Sequence, residues 1–390
     1  MNDVTGIGRV NAGVPATFPP ELASCAELGF NEPTLARLRG LIESHIAEGR
    51  YPGAQIALAR HGRLAMYETF GRASVSPIAA ANADSLWLLF SNTKVITAAG
   101  IWALVEFGLL RFADRIADHI PEFARHGKGD ITIAELLSHR AGFPSQSVSA
   151  AAWTDHEQMR REVCDFTLEW TPGSRLHYHP KAAFWTAAAL IEAVTKGDYR
   201  EFLRQRIIEP LGLAREMFVG LPDAEHARVT TIYEPAADGS QQPLAEENTA
   251  PYRRAGIPSS GGFASARAMA ILYQMMLNFG QMNGNRIFSR RLIEYVTRNH
   301  TGDMVDGGMD MPMHRGLGVH VRGTSDTIRG LGTLASPRTY GHGGVGSSYC
   351  WADPDSGVSF AYLTNSRIPD PWHSQRLDLV SNLVHSAIDW

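Results

Sequence analysis

The chain has 390 residues, of which 44% are hydrophobic and 19% charged, a composition that predicts a folded globular protein rather than a disordered one. Its formal net charge is −4 and no long run of lysine or arginine is present, which argues against nucleic acid as a partner. The three cysteines, Cys25, Cys164 and Cys350, form no Cys-x-x-Cys pair, so we expect reduced, buried thiols rather than a zinc or redox site.

Two segments bear on the compartment. Residues 1–20 lack the basic start, the apolar core and the small-residue cleavage site of a secretory signal, which predicts a cytoplasmic protein. The most apolar stretch, 95–110, contains Glu106 and lies between Lys94 and Arg111. It is short and interrupted for a membrane span, so we expect a buried helix and no membrane partner.

The first elements along the chain are a helix and a hairpin. Leucine and isoleucine recur at three- and four-residue spacing between Asn31 and Gly49, which predicts an amphipathic helix. Two β-rich segments, 55–60 and 63–71, flank a His-Gly pair at 61–62. Because glycine suits a tight reversal, we expect a β-hairpin there.

The middle of the chain has a helical pattern, and strand patterns return towards the end. Segments 131–142 and 182–195 are typical of helices, and the polar segment 235–248 predicts a surface loop. The last predicted elements are strands within 316–322, 347–352 and 358–366 and a helix at 375–388.

This order of elements predicts an α+β fold. A central antiparallel sheet is assembled from both ends of the chain and flanked by helices, while the middle forms a mostly helical lobe. We expect a single domain over 1–390, with the sheet lobe at about 30–90 and 250–390 and the helical lobe at about 91–249.

Ser91 and Lys94 are the candidate nucleophile and its base. They stand three apart at the start of a helical pattern, so their Cβ atoms lie on one face, about 5 to 6 Å apart. A lysine can take the serine proton only where burial or positive charge keeps it neutral. The apolar segments 85–90 and 95–105 favour a buried lysine. The alternative is a serine cap beside a solvated lysine.

Two further segments carry candidate residues. Tyr178 follows a Pro-Gly turn at 172–173, and its phenol can pass a proton between the nucleophile and a leaving group. The alternative is a structural tyrosine with one hydrogen bond. A His-Gly-Gly-Val run at 342–345 precedes a strand pattern, and its glycines let backbone N–H groups approach a ligand. The alternative there is a glycine-rich turn with an exposed histidine.

The succession of Ser-x-x-Lys, a loop tyrosine and a strand that begins with small residues resembles serine β-lactamases and penicillin-binding proteins, and most closely the class C β-lactamase-like esterases called family VIII carboxylesterases. Segments 131–143, 170–180, 207–213 and 256–277 are similar to that family as well.

The resemblance implies a role for each candidate. Ser91 is the acylated nucleophile, and Lys94 and Tyr178 share general-base and general-acid work. The backbone N–H groups of Ser91 and Val345 form the oxyanion hole. The substrate contacts are His342, Gly343, Gly344 and His179. No cofactor and no metal are implied.

Two departures from the lactamase pattern concern the substrate. His342 stands where lactamases have the lysine of Lys-Thr-Gly, and an imidazole holds a substrate carboxylate less firmly. Tyr178-His179-Pro180 stands where they have Tyr-x-Asn, and Pro180 removes the amide that binds a β-lactam side-chain carbonyl. Both departures favour neutral esters over β-lactams.

The sequence thus predicts a serine hydrolase that cleaves a small-molecule carboxylic ester through an acyl-Ser91 intermediate. Acyl transfer, amide or aminopeptidase-like cleavage and weak β-lactamase activity remain open on the same fold, as does an inactive scaffold or ligand sensor. A Ser-His-Asp triad on an α/β-hydrolase lacks its Gly-x-Ser-x-Gly motif here. The oligomeric state stays undetermined.

Overall fold

The structure, a computed structural model, describes residues 22–325 and 330–389. The segment 1–20, on which the expectation about a secretory signal rests, lies outside the described residues. The helices are α1 Glu32–Ala47, α2 Thr93–Glu106, α3 Ile133–Leu137, α4 His156–Asp165, α5 Ala182–Thr195, α6 Tyr199–Leu203, α7 Ala250–Ala255, α8 Ala266–Leu277, α9 Arg290–Val296 and α10 Trp372–Ser386. The strands are β1 Gly53–Arg60, β2 Arg63–Val75, β3 Ile78–Ala80, β4 Trp87–Leu88, β5 Met217–Val219, β6 Tyr233–Pro235, β7 Gln241–Pro243, β8 Gly262–Ala264, β9 Gln281–Met282, β10 Asn285–Arg286, β11 Val305–Asp306, β12 Met311–Pro312, β13 His320–Val321, β14 Tyr340–Gly344, β15 Ser348–Asp353 and β16 Val358–Thr364.

The main sheet joins the two ends of the chain. Its order is β13-β14-β15-β16-β1-β2-β3, with antiparallel neighbours throughout. β1 pairs with β16, so that Ala54 lies opposite Thr364. The segments before α1 and after α10 also contact each other. Phe30 forms a bridge with Ile388, and the Asp389 N–H donates to the Gly29 carbonyl oxygen at 2.9 Å. The predicted α+β fold with a central antiparallel sheet is confirmed.

The β1–β2 hairpin has the turn that its sequence predicts. His61 and Gly62 both adopt positive φ, 53° and 79°, as two-residue type I′ turns require. Glycine reaches this region without strain, whereas the histidine does so at some cost.

The inner strand β1 is buried on both faces, which explains its largely apolar sequence. Ile56 and Leu58 point into a core shared with α1 and α10, while Ala57 and Ala59 point into a second core shared with α8. Side chains alternate between faces along a strand, so helices on both sides leave every residue of β1 buried. The sheet is therefore the middle layer between two helical layers.

The apolar stretch after Lys94 forms a buried helix, as predicted. In α2 every residue from Thr93 to Leu104 is buried, and the helix packs against α5 and α6. Among residues 22–325 and 330–389, no helix has the length and apolarity that crossing a membrane requires.

Several predicted elements differ from the structure. Segment 235–248 forms part of the small β6–β7 hairpin rather than only a loop. The helix predicted over 131–142 is limited to α3, because its chain reverses at His139, whose φ is +63°. Within 316–322 only β13 is a strand. Cys164 and Cys350 are buried as expected, but Cys25 is partly exposed.

Candidate active site

Ser91 lies at a sharp turn between a strand and a helix. β4 pairs with β8, and the chain then passes through a 3₁₀ turn, Phe90–Asn92, directly into α2. Phe90 adopts a φ of +44°, a conformation that costs a non-glycine residue about 1 to 3 kcal/mol. The buried ring of Phe90 holds this turn in place, and the turn leaves Ser91 half-buried at the surface of a cavity.

Lys94 is fully buried and contacts the candidate nucleophile directly. Its Nζ lies 3.0 Å from Ser91 Oγ, 2.8 Å from the Pro180 carbonyl oxygen and 2.9 Å from the Ser259 carbonyl oxygen. Burial holds its pKa well below the ordinary value, and the positive charges of Arg315 and Lys181 lower that pKa further. A neutral amine is therefore accessible at neutral pH, as the apolar surroundings of the motif predict.

Tyr178 belongs to the loop that links α4 to α5, here called the Tyr178 loop (residues 171–181). It lines the same cavity as Ser91, and Lys94 Nζ lies 5.2 Å from the centre of its ring. Burial raises the pKa of Tyr178 to about 12, against the opposing effects of Ser91 and the Arg315 charge. The resting tyrosine is a neutral phenol. The positive charge that favours its phenolate belongs to Arg315.

Strand β14 brings its glycines against the Ser91 turn. A Cβ on Gly344 would lie 2.5 Å from the Leu89 carbonyl oxygen, so only glycine allows this approach. The Asn92 side chain joins the two segments: with its amide oriented to satisfy both groups, Oδ1 accepts from the Gly344 N–H at 3.2 Å and Nδ2 donates to the His342 carbonyl oxygen. Because the Gly344 N–H donates to Asn92, it is not available to a ligand. The next backbone N–H along the chain, just beyond strand β14, is that of Val345.

A cavity of about 240 Å³ collects most of the predicted site residues. Its wall includes Ser91, Tyr178, His342, Gly343, Gly344 and Val345. Other residues along the wall are Met309, His320, Gly330, Gly346, Tyr349, Asp370, His373, Ser374 and Leu377. Lys94 lies behind Ser91 and reaches the cavity only through it.

His342 is a buried, neutral hydrogen-bond acceptor. Its Nδ1 lies 2.9 Å from the Gly343 carbonyl oxygen, which can only accept, so Nδ1 carries the proton and Nε2 has a free lone pair. Nε2 has no hydrogen-bond partner among the described residues. Burial and the nearby Lys94 hold the His342 pKa well below its ordinary value. The neutral form of the His342 imidazole thus has a structural cause.

The prediction that His179 contacts substrate is wrong. The residue is fully buried and lies outside the cavity wall. Its Nδ1 lies 2.7 Å from the His177 carbonyl oxygen, and its Nε2 accepts from the Phe143 N–H at 3.2 Å. Its own backbone N–H donates to His139 Nδ1 at 3.0 Å. Because both ring nitrogens are used by backbone groups, His179 fixes the Tyr178 loop instead.

Comparison with known proteins places the chain in a family. The family model "Beta-lactamase" matches residues 38–383. The chain belongs to the beta-lactamase family. It is 28% identical to Esterase/beta-lactamase LipL of Mycobacterium tuberculosis, over 88% of this chain and 83% of that protein. A penicillin-binding protein homologue from Caulobacter crescentus superposes with a TM-score of 0.78 at 30% identity, over 90% and 97% of the two chains. A family VIII carboxylesterase does so with a TM-score of 0.78 at 26% identity, over 91% and 98%.

This beta-lactamase-family site contains residues that the sequence analysis did not select. Asp306 and Arg315 form a buried ion pair beside Tyr178, and the ring of His139 lies 4.7 Å from the Tyr178 ring. His139 falls in segment 131–143, which the resemblance already covered, but no motif marked it. Asp306 and Arg315 flank a short hairpin without apolar periodicity, so no sequence signal indicated them.

Three residues of this beta-lactamase-family chain have the geometry of metal ligands, but protein groups already use them. His156, Glu192 and Asp198 lie together outside the cavity that contains Ser91. His156 Nδ1 contacts Glu192 at 2.6 Å, and Arg200 donates to both Asp198 and His156 Nε2. The Arg200 guanidinium and the His156 imidazole, whose pKa is raised by Glu192, together offset the two carboxylates, so the cluster is a charge network.

Proposed function

We propose that this hydrolase of the beta-lactamase fold cleaves carboxylic esters through an acyl-Ser91 intermediate. The observation that carries the proposal is the 3.0 Å contact between Lys94 Nζ and Ser91 Oγ at a fully buried lysine. A lysine in such surroundings keeps an accessible neutral form, and that form can take the serine proton at neutral pH.

The contacts of Lys94 support a defined proton path. A neutral amine has two N–H groups and one lone pair. The carbonyl oxygens of Pro180 and Ser259 accept from the two N–H groups, which leaves the lone pair for the Ser91 hydroxyl. The Ser91 proton then moves to Lys94 as Oγ forms its bond with the ester carbonyl carbon.

The remaining groups serve the tetrahedral intermediate. The backbone N–H groups of Ser91 and Val345 stabilise the negative charge on the former carbonyl oxygen. Tyr178, which lines the cavity beside Ser91, relays the proton to the departing alkoxide as its bond to the carbonyl carbon breaks. Water then attacks the acyl-enzyme by the reverse sequence, and the released acid and free Ser91 complete the cycle.

The cavity favours neutral esters over β-lactams. His342 offers a lone pair where a lactamase offers a lysine cation, so it cannot hold a carboxylate. Pro180 has no N–H, and its carbonyl oxygen accepts from Lys94. The cavity volume of about 240 Å³ suits a short acyl group. We therefore propose small-molecule esters with short, uncharged acyl groups as the substrate class.

The test combines covalent labelling with turnover. A fluorophosphonate should add one label to the intact protein, located on Ser91 by mass spectrometry of peptides, and p-nitrophenyl butyrate should be hydrolysed with a far higher kcat/KM than a chromogenic cephalosporin. Ser91→Ala should lose both labelling and several orders of magnitude of turnover. Ser174→Ala, an exposed serine of the same loop as Tyr178, is the matched control and should keep both.

Each alternative gives a different result. A cephalosporin preferred over the ester would overturn the esterase proposal in favour of a β-lactamase. Product partitioning to an added alcohol or amine at the expense of the free acid would identify an acyltransferase, and cleavage of p-nitroanilides above esters an amidase or aminopeptidase. Labelling without turnover of any acyl substrate would indicate a ligand sensor or scaffold.

A further inference from the structure

A buried ion pair lies directly behind Tyr178. Arg315 Nη2 and Asp306 Oδ2 are 2.7 Å apart, and their side chains are 1% and 0% exposed. Asp306 ends strand β11, and Arg315 follows strand β12 of the same hairpin. Ion pairs between exposed side chains add little to stability, but a pair this deep carries a large desolvation cost that its environment must offset.

Asp306 holds the backbone of Tyr178. Its Oδ1 accepts from the Tyr178 N–H at 3.2 Å and from the Gly308 N–H at 3.0 Å. The neighbouring backbone adds a second connection, since the Gly307 N–H donates to the Leu176 carbonyl oxygen at 3.0 Å. The β11–β12 hairpin therefore fixes the Tyr178 loop at the residue whose side chain reaches Ser91.

Arg315 places its charge against the ring of Tyr178. Its guanidinium carbon lies 5.1 Å from the ring centre, within the range of a cation–π contact. Nη2 is bonded to Asp306, whereas Nε and Nη1 have no hydrogen-bond partner among the described residues. Buried donors without partners reduce stability, so packing alone does not account for an arginine at this position.

We propose that Arg315 and Asp306 are positioning residues for the proposed acylation: Asp306 fixes Tyr178 beside Ser91, and Arg315 keeps a permanent positive charge behind the Lys94–Tyr178 pair, which favours the deprotonated form of both. The inference rests on the proposed function, because it assigns these residues to the activation of Ser91. Arginine suits the task since its guanidinium stays protonated when buried.

The charges around the pair support this assignment. After burial, Arg315 is the next largest cause of the lowered Lys94 pKa, and its charge also opposes the rise in the pKa of Tyr178. Asp306 acts in the opposite direction on Tyr178. The other titratable groups that face Lys94 or Tyr178 are Lys181, His139, His179, His320 and His342. Burial lowers the pKa of His139, His179 and His342, so these three are neutral at pH 7.

The test uses two substitutions with opposite expected effects on pH dependence. Ser91 is active when Lys94 is neutral, so its reactivity decreases as Lys94 becomes protonated at low pH. Arg315→Gln removes a positive charge, which raises the pKa of Lys94. The acidic limb of the pH profile, where reactivity rises with pH, therefore moves to higher pH by about one unit. Asp306→Asn removes a negative charge and keeps an acceptor for the Tyr178 N–H, so the limb moves to lower pH. Arg315→Lys keeps a positive charge as long as the Asp306 carboxylate pairs with the new ammonium, and its limb should then stay at the wild-type pH.

The readout is the rate of fluorophosphonate labelling of Ser91 against pH, by mass spectrometry of the intact protein, beside kcat/KM for p-nitrophenyl butyrate. Labelling depends on Ser91 activation and not on the choice of ester. Arg267→Gln is the matched control, because Arg267 also pairs with a carboxylate, that of Glu216, and lies 4.5 Å from the ring centre of Tyr67. Its limb should stay at the wild-type pH.

The outcomes separate the two proposals. Opposite shifts for the Arg315→Gln and Asp306→Asn variants, with neither shift in the control, support the inference. If Arg315→Gln does not fold, the acid shift of Asp306→Asn and the unchanged limb of Arg315→Lys decide the matter. If the acidic limb of the pH profile stays at the wild-type pH in both variants and only the maximal rate falls, the inference is overturned and the proposed function is not. A wild-type protein that is not labelled at Ser91 would overturn the proposed function as well.

Discussion

At the scale of single residues, the proposed reaction makes Ser91 depend on two partners that act on the same protons. Lys94 contacts Ser91 Oγ directly, and Tyr178 lines the cavity beside the same serine. Neither partner alone completes the transfer from nucleophile to leaving group. Residues that share a proton path act as a unit, and their losses do not add.

We therefore expect Lys94→Ala and Tyr178→Phe each to reduce kcat by about a thousandfold and the double variant to be scarcely worse than the poorer single one. The measurement is kcat and KM for p-nitrophenyl butyrate in all three variants, with KM changing much less than kcat. Lys196→Ala, at an exposed lysine just beyond α5, is the control and should keep most of the activity. Fully additive losses would show that Lys94 and Tyr178 act independently.

The substrate preference also depends on one residue. We expect His342→Lys to raise kcat/KM for a chromogenic cephalosporin by about tenfold or more, since a charged contact to a carboxylate is worth on the order of 1.5 to 3 kcal/mol. The ester should gain nothing because it has no carboxylate. His342→Gln, which adds no charge, is the control. Equal changes for both substrates would place His342 away from the substrate carboxylate.

At the scale of elements, the Tyr178 loop is positioned by buried contacts rather than by a regular helix or strand. His179 contributes two ring nitrogens to backbone groups of the loop and of residue 143, and Asp306 accepts from the Tyr178 N–H. Burial lowers the pKa of His179 from 6.5 to about 4. The loop thus depends on a histidine that must stay neutral.

This histidine makes stability depend on pH. Between pH 6.5 and about 4 the unfolded chain binds a proton at His179 and the folded chain does not, so stability falls as pH decreases through that window, by about 3 kcal/mol in all. We expect His179→Gln to lose stability less steeply than the wild type between pH 7 and 5, measured by urea unfolding. The exposed variant His126→Gln should keep the wild-type slope. If the free energy of unfolding falls equally with pH in the wild type and in His179→Gln, His179 is not the cause of the pH dependence.

At the scale of the whole molecule, elements with a clear periodicity were predictable. The hairpin at His61-Gly62, the buried helix after Lys94 and the helix at 182–195 follow from local turn chemistry and from apolar patterns, and the structure contains all three. The contact between Ser91 and Lys94 follows from their spacing at a helix start. The division into one domain with two lobes stays a prediction.

What the sequence could not predict depends on contacts between distant segments. The Arg315–Asp306 pair contacts Tyr178 from a distant hairpin, because Asp306 follows Tyr178 by 128 residues along the chain. His179 was assigned to the substrate because a polar loop residue beside a catalytic tyrosine is expected to face the cavity. Its burial depends on the Phe143 N–H, which no local pattern brings to it.

Because Phe30 and Ile388 lie side by side, the segments that contain them can be joined without moving either one. The same fold can therefore be formed by a chain whose segments follow a different order. We expect a circular permutant, with the two ends joined by a flexible linker and new ends opened in the exposed turn at 236–240, to fold and to keep most of the proposed esterase activity, as measured by circular dichroism and by hydrolysis of p-nitrophenyl butyrate. Opening the chain within the β1–β2 hairpin instead should abolish folding, because β1 is a buried inner strand. In the natural order β1 is synthesised early and β16 near the end, with residues 61–357 between them. In such a permutant only residues 365–390, the linker and residues 1–52 would separate β16 from β1, so their pairing would close a shorter loop and would no longer wait for the end of the chain.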